Sequence, residues 1–422
     1  MRRRTTIAAT LLLVVGGGLA VAGVATYEAN TTEVTVEWVS DTARETGGNH
    51  HAPAVWRDGN HSLVFAPISG QTDTSSCELA ALAGTDGSVV WRDGVPAPNC
   101  TVHSVANPTV ADYDRDGTAE VFAATTEDRL FGFEAETGAV EFRHNLTAYG
   151  YTKPLVTDVV GGPAPEIVVV DVTGTISVLA ANGTTHWTRR LDAYTWAQPV
   201  VADFDHDGEP EVAVGAGGSG ELHLFDHDGT STWTEPTTFE SSIGWLSTDD
   251  LDGDTRPEIV VATALDGRVV AVDGDGTRQW EHDLARLAAV GAVFDGDRDG
   301  TLEVYAVSSD GVLRALDGQT GREEWTSTLT TEAVQMMPPP SAGDVDGDDR
   351  LELVAPAHDG SVSLVDPKTG AVRATYERRD TIYVDATLAD VDGDGNSEAF
   401  VMYGHGSIAR LDFGSVDSGS MF

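Results

Sequence analysis

Apolar residues in this chain gather into runs too short for helices: EVFAAT, EVAVGA, EIVVAT, EVYAVS, ELVAPA and EAFVMY form one set, GTISVLAA and GRVVAVDG belong to a second. Their length and β-branched content read as strands. The order around them is constant: an apolar strand, an acidic loop, a strand opening on Glu, a further strand, a tight Gly turn, and a strand ending in Trp. Gly supplies the positive φ that a two-residue hairpin turn demands. The unit is therefore a four-stranded antiparallel meander.

The first Asp of each acidic loop anchors the unit at Asp112, Asp203, Asp250, Asp295, Asp344 and Asp390, with a degenerate seventh anchor at Asp158 followed by Glu166; successive anchors lie 45 to 49 residues apart. That is the period of a four-stranded propeller blade, and it predicts an all-β, eight-bladed β-propeller. A first blade without the acidic loop covers about His51 to Asp93, and seven anchored blades follow. The last blade, TLADV, EAFVMY and GSIARLDF, lacks a fourth strand. Residues 33–39, EVTVEWV with Trp38, are expected to supply it from the N-terminus, closing the ring and removing both exposed sheet edges. The expected organisation is 1–30 for export, 31–415 for the propeller and 416–422 for a C-terminal tail.

The fourth strand carries its own signature, Gly-x-x-x-Trp, from Gly87 to Trp91, Gly183 to Trp187, Gly229 to Trp233, Gly276 to Trp280 and Gly321 to Trp325; Phe142 stands after Gly138 and Ala374 after Gly370. A residue that repeats with the fold is expected to pack between neighbouring blades. Burying a large ring there contributes about 1.5 to 3 kcal/mol.

Each acidic loop has Asp at positions 1, 3 and 5 and Glu at position 9: Asp112, Asp114, Asp116 and Glu120; Asp203, Asp205, Asp207 and Glu211; Asp250, Asp252, Asp254 and Glu258; Asp295, Asp297, Asp299 and Glu303; Asp344, Asp346, Asp348 and Glu352; Asp390, Asp392, Asp394 and Glu398. Four carboxylates in nine residues repel one another unless a hard cation lies between them, and all-oxygen ligands favour Ca²⁺. An EF-hand is excluded, because position 12 is Ala or Val in every copy and the Glu opens a strand rather than a helix. One copy alone would equally suit an Asp/Gly hairpin turn without metal. Six copies point to structural calcium, up to six ions.

Composition adds a compartment. Net charge is −43, with only Lys153 and Lys368 as lysines. Such acidity with scarce lysine fits a solvated halophile surface, since at molar salt the Debye length falls to about 3 Å and self-repulsion is screened. No basic patch exists for nucleic acid. Arg2-Arg3-Arg4 followed by an apolar stretch, residues 7–25, reads as a cleaved export signal or an N-terminal membrane anchor, both placing the rest outside the cytoplasm. Sequons at Asn30, Asn60, Asn99, Asn145 and Asn182 agree with export, and Cys77 and Cys100 suit one disulfide in an oxidising compartment.

The lines ADYDRDGTAEVF and ADFDHDGEPEVAV resemble FG-GAP/VCBS repeats, those of integrin α-subunit propellers, whose acidic loop binds Ca²⁺. The resemblance implies the same ion role here, with no ion in the first and third blades, which lack the loop. Glu at position 9 departs from the usual Asp. The second half of the repeat, such as GVLRALDGQTGREEW, is similar to the PQQ-type repeats of quinoprotein dehydrogenases and of non-enzymatic scaffolds. Those dehydrogenases commonly carry an adjacent Cys-Cys pair; Cys77 and Cys100 are far apart, which argues against PQQ as a cofactor.

Carboxylates that repeat with the fold are not a catalytic constellation, which must be asymmetric and local. The twelve histidines are scattered and His50-His51 reads as a loop pair. The expected function is an extracellular, non-catalytic binding or adhesion propeller for a cell-surface protein or carbohydrate; the alternative is an enzyme on the same fold, a calcium-assisted polysaccharide lyase or a PQQ-dependent dehydrogenase. The ligand face is expected opposite the acidic loops, where the connections entering the innermost strands carry Tyr149, Tyr151, Tyr194, Trp196, Trp245, Met337 and Tyr383, with His103 nearby.

Overall fold

The computed structural model describes residues 34–45 and 48–414. The export segment, the sequon at Asn30 and the tail 416–422 lie outside the described residues. The described chain forms eight four-stranded antiparallel sheets. Blade 1 spans residues 54–94, and blades 2 to 7 span 109–145, 155–190, 200–238, 243–283, 289–328 and 341–377. Blade 8 is built from Thr387–Ala389, Glu398–Met402 and Ile408–Asp412, and its outer strand is Thr35–Val39. Thr35 faces Asp412 and Val39 faces Ala409, so the N-terminal strand closes the ring.

The second strand of each blade is buried along almost its whole length, as in Glu120–Thr125 and Glu166–Val170, and so are most third strands, with Glu221–Phe225 and Val312–Asp317 alternating between buried and half-buried positions. Sheets packed on both faces need apolar residues without alternation. That requirement explains the continuous runs in the sequence. The outer strands alternate, as in Val89–Gly94, because one face meets solvent.

The Gly and Trp of the fourth-strand signature turn out to be the two halves of one contact between blades. Each Trp lies on the signature Gly of the next blade: a Cβ on Gly138 would meet Trp91 at 2.7 Å, one on Gly229 would meet Trp187 at 2.6 Å, and one on Gly370 would meet Trp325 at 2.4 Å. The indole then donates to a backbone carbonyl of that same turn, Trp91 to Ala135, Trp187 to His227 and Trp325 to Pro367, each at 2.8 Å. Each of these glycines also holds a positive φ, so one residue type meets both demands. Ala374 stands where blade 8 has no such turn, its outer strand arriving from the other end of the chain.

One strand departs from the sequence pattern. The outer strand of blade 4 is only Thr237–Thr238, and Trp233 sits before it in an irregular segment. Trp233 still donates to Gly274 at 2.8 Å. Tertiary packing of the ring outranks the local strand pattern.

Candidate functional sites: acidic loops and channel mouth

The acidic loop joins the innermost strand of a blade to the second. All six loops hold positive φ at positions 4 and 6. In blades 2, 4 and 6 the pair is Arg115 and Gly117, His206 and Gly208, Arg298 and Gly300; in blades 5, 7 and 8 it is Gly253 and Thr255, Gly347 and Asp349, Gly393 and Gly395. One backbone is thus built by two sequence variants, with Gly at either left-handed position. The first Asp fixes it: Asp203 accepts from the amides of Asp207 and Gly208, both at 3.1 Å, and Asp250 from Gly253 at 2.9 Å and Thr255 at 3.0 Å.

The Glu at position 9 has a role of its own. Its Oε2 accepts the amide of position 2, as Glu211 does from Phe204 and Glu258 from Leu251, both at 2.7 Å. Glu166 does the same for Val159 in blade 3, where the other acids are missing. The Glu therefore clamps the loop while position 2 enters the inter-blade core, with Phe204 and Val345 fully buried. Burial pushes Glu120, Glu211, Glu258, Glu303, Glu352 and Glu398 up to about 7.

What faces the remaining carboxylate oxygens differs between blades. Asp203, Asp205, Asp207 and Glu211 bring four ligand atoms within 4.8 Å of one another, as do Asp295, Asp297, Asp299 and Glu303. Three acids converge in this way in blades 2, 5 and 7. Glu211 Oε1, Glu258 Oε1 and Asp346 Oδ1 are buried and have no hydrogen-bond partner. Such oxygens fit a hard divalent cation. In blade 8 the buried guanidinium of Arg410 instead reaches Glu398 and lies 2.7 Å from Asp392. Arg373 approaches Asp346 at 3.4 Å and Glu352 at 3.6 Å in blade 7. The acidic clusters can hold metal ions; blade 4 combines four converging acids with an unpartnered buried oxygen, whereas in blade 6 the Lys368 ammonium lies 4.0 Å from Asp297. The two arginines lie outside the loop motif, on neighbouring strands, where sequence spacing did not reveal them.

A cavity of about 810 Å³ runs along the innermost strands, from the connections that enter them, opposite the acidic loops, down to Phe294 and Leu351. Tyr151, Trp196, Trp245 and Tyr383 line it, together with Lys153 and Asp385. Tyr194 is 47% exposed beside Trp196, ring centres 5.2 Å apart. Burial and then a hydrogen bond to Tyr194 push the Tyr149 phenol up to about 12. Met337 is instead 1% exposed in the core between blades, and its neighbour Met336 faces the cavity. The histidines are less scattered than the sequence implies, because His50, His51 and His103 meet on the cavity wall.

The disulfide Cys77–Cys100, with a Cα separation of 5.4 Å, ties the third strand of blade 1 to the turn that carries His103. Asn99 donates its side-chain amide to Thr126 at 2.8 Å.

Eight blades in a closed ring, six of them carrying an acidic inner loop, define a repeat-built β-propeller. Two segments, residues 78–188 and 288–394, match the family described as outer membrane protein assembly factor BamB, a PQQ-like repeat; together they span just over half of the chain, which belongs to that repeat family. Residues 203–261 match the FG-GAP-like repeat. Among solved structures, the Vibrio cholerae biofilm matrix protein Bap1 is similar with a TM-score of 0.69 at 13% identity, covering 92% of both chains. BamB from Moraxella catarrhalis is similar with a TM-score of 0.61 at 18% identity, covering 90% of this chain and 98% of that one. The designed protein Ika8 has a TM-score of 0.61 at 14% identity, over 90% of this chain and 99% of its own. No curated protein sequence matches significantly. These likenesses establish the fold. No helix among the described residues is long and apolar enough to cross a membrane.

Proposed function

We propose that this protein is an exported, non-catalytic binding propeller of the cell surface or extracellular matrix. Its acidic loops hold structural calcium, and its partner, a surface carbohydrate or protein, docks at the channel mouth. One observation carries the reading: aromatic side chains with polar tips, Tyr149, Tyr151, Tyr194 and Trp196, gather on successive connections beside an open cavity, whereas the carboxylates repeat in six of the eight blades. Aromatic faces with hydroxyl and indole donors suit sugar rings and peptide backbones. The biofilm matrix role printed for Bap1 agrees with an extracellular setting.

The test is capture of cell-envelope polysaccharide and protein fractions by immobilised propeller in millimolar calcium. Trp196→Ala is expected to weaken capture at unchanged melting temperature, with no unsaturated sugar product and no PQQ-dependent dye reduction. Equal capture by the variant removes the docking site from this mouth. Product formation or dye reduction replaces the binding reading by the enzymatic one.

A further inference from the structure

His50 and His51 lie on the segment entering blade 1, and His103 lies on the segment between blades 1 and 2. His103 lies between the other two, its ring centre 5.3 Å from that of His50 and 5.7 Å from that of His51. Aromatic neighbours hold them: Tyr151 packs 5.0 Å from His51 and 4.9 Å from His103, and Tyr383 packs 4.2 Å from His50. His51 is 1% exposed, and its Nδ1 lies 2.8 Å from Asn107 Oδ1. An amide oxygen only accepts, so Nδ1 carries the proton and Nε2 keeps its lone pair. That Nε2 is buried without a partner, and so are His50 Nδ1 and His103 Nδ1. A buried polar atom left unpaired costs about 1–3 kcal/mol, and three on one cavity wall call for a common partner.

We propose that His50, His51 and His103 form a three-imidazole site for a divalent transition-metal ion of the zinc class at the channel mouth. Zinc binds imidazole nitrogen at about 2.0–2.1 Å, which in tetrahedral geometry places two ring centres roughly 5 Å apart. The separations of His103 from His50 and from His51 are close to that value. Imidazole ligands select zinc, copper or nickel, whereas calcium takes oxygen, so this site differs in chemistry from the acidic loops. The Asn107 contact is the kind of outer hydrogen bond that fixes the tautomer of a ligating histidine. Burial, the largest cause in each case, holds His51 down to about 3 and His103 to about 4, leaving the rings neutral at neutral pH. Three protein ligands leave a fourth position for water or for a group of whatever enters the cavity. The site does not depend on the calcium or partner reading above.

The experiment is calorimetric titration of the purified exported chain with Zn²⁺ alone, in excess Ca²⁺ so that the carboxylate loops are filled. One equivalent of Zn²⁺ is expected per chain. His51→Ala and His103→Ala should each lower the affinity at least 100-fold, and Asn107→Ala by roughly 10- to 100-fold, the usual range for an outer-shell partner. Should a variant fail to fold, ring-nitrogen NMR of the unaltered protein serves, where Zn²⁺ should shift His50, His51 and His103 and leave the other histidines in place. No zinc binding in excess calcium, an unchanged affinity in a folded His51→Ala/His103→Ala variant, or shifts confined to other histidines would overturn the assignment.

Discussion

The indole of Trp38 donates to the carbonyl of Gly84 at 2.9 Å, and its ring covers Gly87, whose Cβ, if present, would lie 2.5 Å from it. Trp38 stands on the outer strand of blade 8 and both glycines stand in blade 1, so the ring closes on the same Trp-on-Gly contact that joins the other blades. Beside it, Thr387 donates to the carbonyl of Pro53 at 2.7 Å between the innermost strands.

Closure makes the N-terminal strand indispensable. Trp38→Ala is expected to cost about 3–5 kcal/mol, the usual range for a buried ring, read from urea unfolding. Deleting residues 31–40 bares the edge of blade 8 and should give aggregation or non-cooperative melting. A truncated chain that stays monomeric and equally stable refutes the closure.

Gly370 and Gly117 separate crowding from backbone strain. Gly370 has φ +69 with Trp325 at 2.4 Å from a built Cβ, while Gly117 has φ +95 with open space around it. Gly117→Ala should cost about 1–2 kcal/mol for the left-handed backbone alone. Gly370→Ala should add roughly 1–3 kcal/mol of overpacking and melt lower. Equal melting temperatures would show that the Trp contact does not constrain the turn.

Calcium dependence should differ between loops. Extracellular calcium modules bind at roughly 10⁻⁴ to 10⁻³ M, so chelation is expected to lower the melting temperature and millimolar calcium to restore it. Asp205→Asn in blade 4 should remove one bound calcium. Arg410→Gln leaves Glu398 and Asp392 without their cation and should destabilise the calcium-free protein by about 3–5 kcal/mol, with an enlarged response to calcium. Calcium counts identical to the parent in Asp205→Asn would dismiss that loop as a site.

The clamp glutamates give this effect a pH dependence. Their carboxyls are raised from 4.5 to about 7 in the fold, so the folded state binds protons more readily than the unfolded one across that interval. Their stability contribution is then full below about 4.5 and lost as pH rises through 7. Histidines lowered by burial, such as His51, act oppositely but equally with and without calcium. The calcium-induced rise in melting temperature should therefore be larger at pH 7.5 than at pH 5.5. A rise independent of pH would mean that the glutamates do not face the ion.

Reduction of Cys77–Cys100 opens a loop with a sequence separation of 23 and is expected to cost about 3 kcal/mol on the chain-entropy model. Free thiols titrating in the unreduced protein would contradict the bond.

The blades, their order and the acidic loops were legible because each arises from residues close in sequence. A buried two-faced strand demands an unbroken apolar run, a left-handed turn demands Gly, and a nine-residue carboxylate loop carries its whole pattern within itself. Even the closing strand could be read, since Trp38 repeats a local signature. Less legible was Met337, because two adjacent methionines offer the same chemistry and only the path of the chain sends Met336 to the cavity and Met337 to the core.

Contacts between residues distant in sequence depended on the tertiary structure at two levels. Within a blade, strand pairing carries Arg410 and Arg373 back to the acids of the loop in blades 8 and 7. His51 meets Asn107 across 56 positions, and His50 meets His103, because ring packing sets neighbouring entry segments side by side. Repetition specifies the scaffold, since every copy obeys the same local physics. The irregular side chains that distinguish one blade from the next acquire their partners only when the eight sheets are packed around one axis.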